Sequence, residues 1–444
     1  MAFRAGGLAS GIDSKTLIAS LMQIERQPVN RLSTKRRGHQ TQISKIGTIK
    51  SAASGLITAA KAIDTAKELL TVSATSSETD SFTATADGTA VVSNYDVTVS
   101  QVATAEKNRS VAIATTTTAI KEGTITITVN GETAQNFTIS DGDVITNVVD
   151  TLNTGTGFTA ALINDGTSYY LTVTSEETGH TIGGTASDAL AITVAQTGAT
   201  GVDLNLTETV TAANAKLTVD GLSVESESND ASGFIPGVTV HVKTKTTEIE
   251  KLTLSVDKDE TKKKVQTFID AYNKVVSLIQ REMKVPVGTN RGHTLNGDSI
   301  ILNMKNTLYN YTIPPVASLS GAKFATLAAI GVKGSRAGTL SIDTKKFEAA
   351  LDTNPKAFTK VFTETDGVAN RLIPVLESYT QIGGQLANRT EGINARIRQL
   401  DKTITRLNNR LDQYENSLVR QFTSLELAVS KINSQGNYLA SALG

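Results

Sequence analysis

Apolar residues fall into three textures along the chain. From Asp13 to about Leu70 they recur at helical spacing, with Leu17, Leu21 and Ile24 first, then Ile43, Ile46, Ala53, Leu56, Ala60 and Ile63 beyond Pro28. Asp13 is suited to cap the first helix, because a carboxylate there accepts from the unpaired N–H groups of the opening turn. Pro28 has no N–H and crowds the turn before it, so the first helix is expected to end or kink at that point.

From about Thr71 to Val256 the period shortens to two. Thr, Ser, Val and Gly dominate, and "YDVTVSQV", "TITITVNGE", "SYYLTVTS" and "VTVHVKTKTTE" alternate as half-buried strands do. Asn130-Gly131 and Asp220-Gly221 follow strand-like runs and supply the positive φ angles that tight hairpin turns demand. Within this zone "SDGDVITNVVDTLNT" places Val144, Ile145, Val148, Val149 and Leu152 on one side of a short helix, with Ser140 or Asp141 expected near its cap. The order of strands, hairpins and helix suggests small α+β modules.

Helical spacing returns in "DETKKKVQTFIDAYNKVVSLIQREM", where Val265, Phe268, Ile269, Tyr272, Val275, Val276 and Ile279 share one face. Gly334 to Gly338 reads as a turn before a strand, and Asp343 as the cap of a helix bearing Phe347 and Leu351. The most regular stretch follows. Ile393, Ile397, Leu400, Ile404, Leu407, Leu411, Tyr414 and Leu418 recur at steps of four and three, the seam of a coiled coil. Beyond Leu418 the apolar positions shift to Phe422, Leu425, Val429 and Ile432, as if four residues had been inserted. Helical zones at both ends bracket a β-rich insertion, so the N-terminal stripe is expected to pack on the C-terminal seam.

Composition narrows the function classes. A chain of 444 residues calls for about two to four domains. Lys plus Arg and Asp plus Glu number 43 each, which leaves no net field to draw in nucleic acid or an anionic membrane. The chain has no Cys, which removes disulfides, thiolate nucleophiles and Cys-ligated metals together. Residues 1–30 never supply the roughly 7 to 15 uninterrupted apolar residues of a cleavable signal, so no such signal is expected. No window approaches the roughly 20 apolar residues of a membrane span, so no membrane insertion is expected.

No catalytic constellation stands out, and neither an enzyme nor a cofactor or metal site is expected. His39, His180, His241 and His293 lie far apart without paired spacing. No G-x-S-x-G surrounds a Ser, and neither Gly-rich piece, "TIGGTAS" or "IGVKGSRAG", carries the G-x-x-x-x-G-K-[ST] of a phosphate-binding loop. Glu176-Glu177 reads as the start of a solvated loop. The clusters Lys35-Arg36-Arg37 and Lys262-Lys263-Lys264 lie on helices with no stacking aromatic nearby, which disfavours nucleic acid.

The pieces "GGLASGIDSKTLIASLMQIERQPVNRL", "FIDAYNKVVSLIQ", "LNGDSI", "LAAIGVKGSRAGTLSIDTKKFEAAL" and "RLDQYENSLVRQFTSLELAVSKINSQGNYLASAL" resemble hook-associated protein 2, the filament-capping family of the bacterial flagellum. The stretch from "GTITITVNGE" to "SYYLTVTS" resembles the IN motif of flagellins and hook-associated proteins. The resemblance implies a multidomain α+β fold, with discontinuous N- and C-terminal coiled-coil legs, a helix-rich domain and an inserted β-rich head of two small modules. Its expected parts are a leg of 1–42 paired with 395–444, a helix-rich domain of 43–72 plus 256–394, and head modules of 73–122 plus 205–255 and of 123–204.

By resemblance, Leu17, Leu21 and Ile24 belong to the N-terminal leg, and Ile404, Leu407, Leu411, Leu418, Phe422 and Leu425 to the C-terminal leg that meets the filament or a partner. The glycines at 6, 7 and 11 are expected to loosen the leg tip. The implied function is a homo-oligomeric ring at the distal filament tip. It would promote folding and insertion of flagellin, prevent its loss, and contact hook-filament junction proteins. The implied route is secretion through the flagellar type III apparatus, with an export chaperone on the C-terminal seam beforehand. The competing expectation is a secreted adhesin whose β-rich head binds mucin or glycans.

Overall fold

The structure, a computed structural model, describes residues 11, 13–285, 287 and 294–443, with side chains to residue 439. The chain forms two compact units. One comprises Met1–Asp64, Lys264–Ala350 and Lys360–Gly444, and the other Thr65–Lys263 with Leu351–Thr359.

Helix α1 (Ser14–Glu25) opens on Asp13, whose Oδ1 accepts the Thr16 N–H at 3.0 Å. It ends at Arg26, and α2 (Gln27–Lys61) follows at once with Pro28 in its first turn. A proline there forfeits a donor that the first turn leaves unpaired anyway, so it starts the second helix at the same point where it stops the first. Helix α2 buries Ile46, Ile49, Ala53, Leu56 and Ala60, and leaves Ile43 half-buried. The short α3 (Ala66–Leu69) is capped by Thr65 and leads into the β-rich unit.

That unit begins with β1 (Val72–Ser76), β2 (Phe82–Ala86) and β3 (Ser93–Gln101). A second module then interrupts: β4 (Lys107–Arg109), β5 (Gly123–Val129), β6 (Gln135–Ile139), α4 (Ile145–Leu152), β7 (Phe158–Asn164), β8 (Tyr169–Ser175), β9 (Leu190–Gln196) and β10 (Thr207–Val210). The first module resumes with β11 (Ala215–Val219), β12 (Leu222–Ser226), β13 (Asp230–Ser232), β14 (Val238–Val242) and β15 (Glu250–Val256). Its sheets run β1-β15-β3-β11-β12 and β13-β14-β2. Val97, Val99, Leu217, Val219, Leu252 and Leu254 are the buried alternates of the larger sheet. Asp220 and Gly221, at φ 48° and 83°, close the two-residue turn between paired Val219 and Leu222.

The second module stacks sheets β10-β4-β8-β7 and β6-β5-β9 with α4 around a core that includes Ile125, Ile127, Phe137, Val148, Phe158 and Leu171. The rings of Phe137 and Phe158 meet edge to face at 5.7 Å. Two expectations need correction here. The module is wider than 123–204: β4 and β10 pair into its sheet, Ile113 and Ile120 are fully buried in its core, and an antiparallel bridge from Thr104 to Ala213 marks the crossing from the first module. "KNR" and "TETV" are too short and too polar for alternation to reveal them. Helix α4 begins beyond Ser140 and Asp141: its cap is Val144, whose N–H donates to Asn147 Oδ1 at 3.2 Å, while Ser140 donates its N–H to Asp143 in the preceding turn.

The helical return begins with α5 (Lys258–Met283), on which all seven residues of the expected face are buried. It continues through α6 (Ser299–Thr312), the hairpin of β16 (Val332–Gly334) and β17 (Leu340–Ile342), α7 (Thr344–Thr353), α8 (Pro355–Thr363), α9 (Val368–Thr380) and α10 (Gln385–Leu443). Asp343 Oδ1 accepts the Lys346 N–H at the start of α7, and Phe347 and Leu351 are buried. Asp298 caps α6 through the N–H groups of Ile300 and Ile301, and Arg389 of α10 reaches its Oδ2 at 2.6 Å. Arg371 of α9 donates to the carbonyls of Tyr311, in the last turn of α6, and of Pro314 and Pro315 just beyond it, where no helical N–H follows to pair with them.

The expected boundaries at 42 and 395 both fall inside continuous helices, α2 and the 59-residue α10. No loop divides a leg from a helix-rich domain at those points.

The paired terminal helices as a candidate functional site

Helix α1 lies on α10 in a small apolar cluster. Ile18 and Met22 are buried against Leu411 and Leu418, with Leu21, Val29, Val419 and Phe422 partly buried around them. Polar contacts set the register: Arg26 pairs with Glu415 at 3.8 Å alongside the cluster, and Arg36 of α2 with Asp401 of α10 at 3.0 Å beyond one end of it. As residue numbers rise on the first helices they fall on the second, so the pair is antiparallel. These ion pairs are only partly buried, and such pairs align helices more than they hold them.

The buried face of α1 is not the stripe Leu17, Leu21 and Ile24. Leu17 is 45% and Ile24 62% exposed, while Ile18 and Met22 are 9% and 4% exposed. At about 100° per residue, Ile18 and Met22 point roughly 100° to 160° away from Leu17 and Ile24, and Leu21 sits at the margin between them. On α10, Ile404 and Leu407 are half-buried, Leu411 and Leu418 are buried, and Tyr414 is exposed. Past Leu418 the contact passes to Val419 and Phe422, in a helix that continues without a break. Leu425 is 43% exposed, and Leu427, Ile432 and Leu439 are more exposed still. The C-terminal turns therefore carry apolar side chains into solvent.

At the start of α1, hydrogen bonds from the Thr16 hydroxyl and N–H hold the Asp13 carboxyl below its ordinary range, so it stays charged where it favours the helix N-terminus. Gly11 adopts φ 72°, open to glycine at no steric cost; Gly6 and Gly7 lie outside the described residues.

The remaining candidates for chemistry are dispersed. His39 contacts Gln42, His180 contacts the Thr181 carbonyl, and His241 bridges Thr85 and Asp230; His293 lies outside the described residues. Glu176 and Glu177 are exposed just past β8. Lys262 and Lys263 pair with Asp259 and Glu260 one turn earlier. Among the described residues no group of His, Asp and Glu could hold a metal, and no helix is long and apolar enough to cross a membrane.

Helices from the two ends of the chain, packed as one pair and bracketing a β-rich insertion, define a multidomain α+β protein. Residues 10–106 match the model of the flagellar hook-associated protein 2 N-terminus, and residues 212–434 that of its C-terminus. The chain belongs to the flagellar hook-associated protein 2 family. It is 29% identical to the A-type flagellar hook-associated protein 2 of Pseudomonas aeruginosa, over 98% of this chain and 96% of that one. It is 26% identical to the flagellar hook-associated protein 2 of Escherichia coli K12, over 98% and 96%. The crystal structure of the D1-D2-D3 domains of the Escherichia coli flagellar cap protein FliD superposes with a TM-score of 0.67 at 26% identity, covering 79% of this chain and 99% of that one.

Proposed function

We propose that this protein caps the distal tip of a bacterial flagellar filament as a homo-oligomeric ring. There it holds exported flagellin so that each subunit folds and inserts instead of being lost. The legs are the terminal helices. Leu425 and the apolar residues beyond it meet the filament end or the hook-filament junction proteins, and before secretion by the flagellar type III route the same surface is covered by an export chaperone. The observation that carries this reading is the small cluster of Ile18, Met22, Leu411 and Leu418. A cap must release and regrip as each subunit adds, and a contact of so few side chains is suited to repeated local opening. Membership of the family supports the same reading, and no observation favours the adhesin.

The test is complementation of a bacterium that lacks its own cap protein. The chain is expected to restore filaments and to lower the flagellin shed into the medium. Leu418→Asp combined with Leu425→Asp should leave the β-rich unit folded and abolish that rescue. Normal filaments grown by the double variant would sink the role given to the legs.

A further inference from the structure

A pocket of about 340 Å³ lies in the helical unit between α5, α6 and the β16–β17 turn. Its floor is the buried pair Tyr272 and Val276 of α5. Lys305, Asn306, Tyr309 and Asn310 line one wall from a single face of α6, and Arg336 faces them from the turn. No Asp or Glu is among the lining residues, and among the described residues neither Lys305 nor Arg336 has an ion-pair partner. Other basic side chains of this unit do have acidic partners: Lys45 pairs with Glu282, Lys61 with Glu377 and Arg389 with Asp298.

The turn that presents Arg336 is tied closely. Ser335 Oγ lies 2.8 Å from Thr339 Oγ1 and accepts the N–H groups of Ala337 and Thr339, both at 3.2 Å. Gln280 of α5 donates to the Ala337 carbonyl, and Gly338 closes the turn at φ 84°. The guanidinium therefore stands on a preorganised base, across the pocket from an ammonium on a regular helix. Burial pushes the Tyr272 hydroxyl up to about 12, so the floor is neutral and adds no negative charge.

We propose that this pocket is a carboxylate-binding site that takes the acidic side chain of a polypeptide segment. Arg336 provides the planar fork that a carboxylate prefers, and Lys305 a second positive charge. A free acid would need no more than these. Asn306 and Asn310, one turn apart, carry amides that both donate and accept, the pairing a peptide backbone offers on either side of an acidic residue. The exposed ring of Tyr309 beside them gives the flanking chain an apolar surface to lie on. The proposal stands apart from the filament-cap reading, because it depends on none of the leg residues.

The test titrates the full-length chain with acetyl-Gly-Glu-Gly-amide, its Gln counterpart and glutarate, following the methyl signals of Val276 by NMR. The Glu peptide is expected to shift those signals with saturation in the millimolar range, and the Gln peptide to bind at least about tenfold more weakly. Arg336→Gln and Lys305→Gln, at side chains outside the core, should each weaken the Glu peptide by about tenfold while leaving the rest of the methyl spectrum in place. Equal response to the Glu and Gln peptides, or undiminished binding by both variants, would overturn the site. Glutarate binding as tightly as the Glu peptide would overturn the polypeptide source and assign the pocket to free organic acids.

Discussion

Glu106 is a carboxylate 3% exposed, and its position makes it a gauge of the second head module. Oε1 accepts from Asn108 Nδ2 at 2.9 Å and Oε2 from the Leu190 N–H at 3.0 Å. Burial raises its pKa above the ordinary 4.5, and the two hydrogen bonds pull the other way. The folded state therefore holds this proton more tightly than the unfolded chain does. Its contribution to stability is full below 4.5 and declines as pH rises through the folded-state pKa. Asp87, Asp343 and Asp366, all lowered by hydrogen bonds or cations, act in the opposite sense and lose their contribution as pH falls. Comparing wild type with Glu106→Gln isolates the single group: urea unfolding from pH 4.5 to 7 should show the variant gaining on wild type as pH rises. A constant difference would contradict the assignment. Glu106→Ala strands the Leu190 N–H and the Asn108 amide, and is expected to cost about 1 to 3 kcal/mol. Gly179 gives a steric counterpart, since its φ is 73° and a Cβ there would lie 2.1 Å from the Glu227 carbonyl. Gly179→Ala should destabilise the β-rich unit by roughly 1 to 3 kcal/mol in the same unfolding measurement.

Elements differ in how firmly their faces are held. Helix α5 buries seven residues of one stripe, and Phe268 adds an edge-to-face contact with Phe362 at 6.2 Å. Helix α1 buries only Ile18 and Met22 among its large apolar residues. Amide exchange of α1 should therefore proceed by local opening, on the order of a hundredfold or more faster than that of α5. Met22→Ala, which removes about half of that helix's buried contact, should raise exchange in α1 and leave α5 unchanged. Equal protection of the two helices in the wild-type chain would show that α1 does not open on its own, and would weaken the case for a regripping leg.

For the molecule as a whole, the ends of the β-rich unit decide whether it folds alone. Val72 of β1 pairs with Val256 of β15, so the chain enters and leaves through neighbouring strands. Residues 71–257 are expected to fold as an isolated fragment with one or two cooperative thermal transitions by circular dichroism and a dispersed NMR spectrum. Excision removes the ion pair of Lys258 with Asp352, which is exposed on both sides and worth at most about 1 kcal/mol. A fragment without cooperative unfolding would mean that residues 351–359 contribute essential core to that unit.

Local chemistry alone determined the elements whose signal is complete within a few residues. The seven-residue stripe of α5, the stop and restart at Pro28, the Asp13 and Asp343 caps and the Asp220-Gly221 turn each follow from short-range sterics or periodicity. Tertiary structure decided what such signals leave degenerate. Helix α1 carries Leu17, Ile18, Leu21, Met22 and Ile24, so apolar side chains spread over an arc of roughly 160°, and only the approach of α10 selects Ile18 and Met22 for burial. The strand β4 exists because β8 offers it an edge, and β10 because β4 then offers the next, and their own residues have too little alternation to announce it. The cations of the pocket are 31 positions apart in Lys305 and Arg336 and meet only through the packing of α6 against the β16–β17 turn. Periodicity reports which residues seek burial. Which partner buries them depends on contacts between segments far apart in the chain, and no local pattern encodes those.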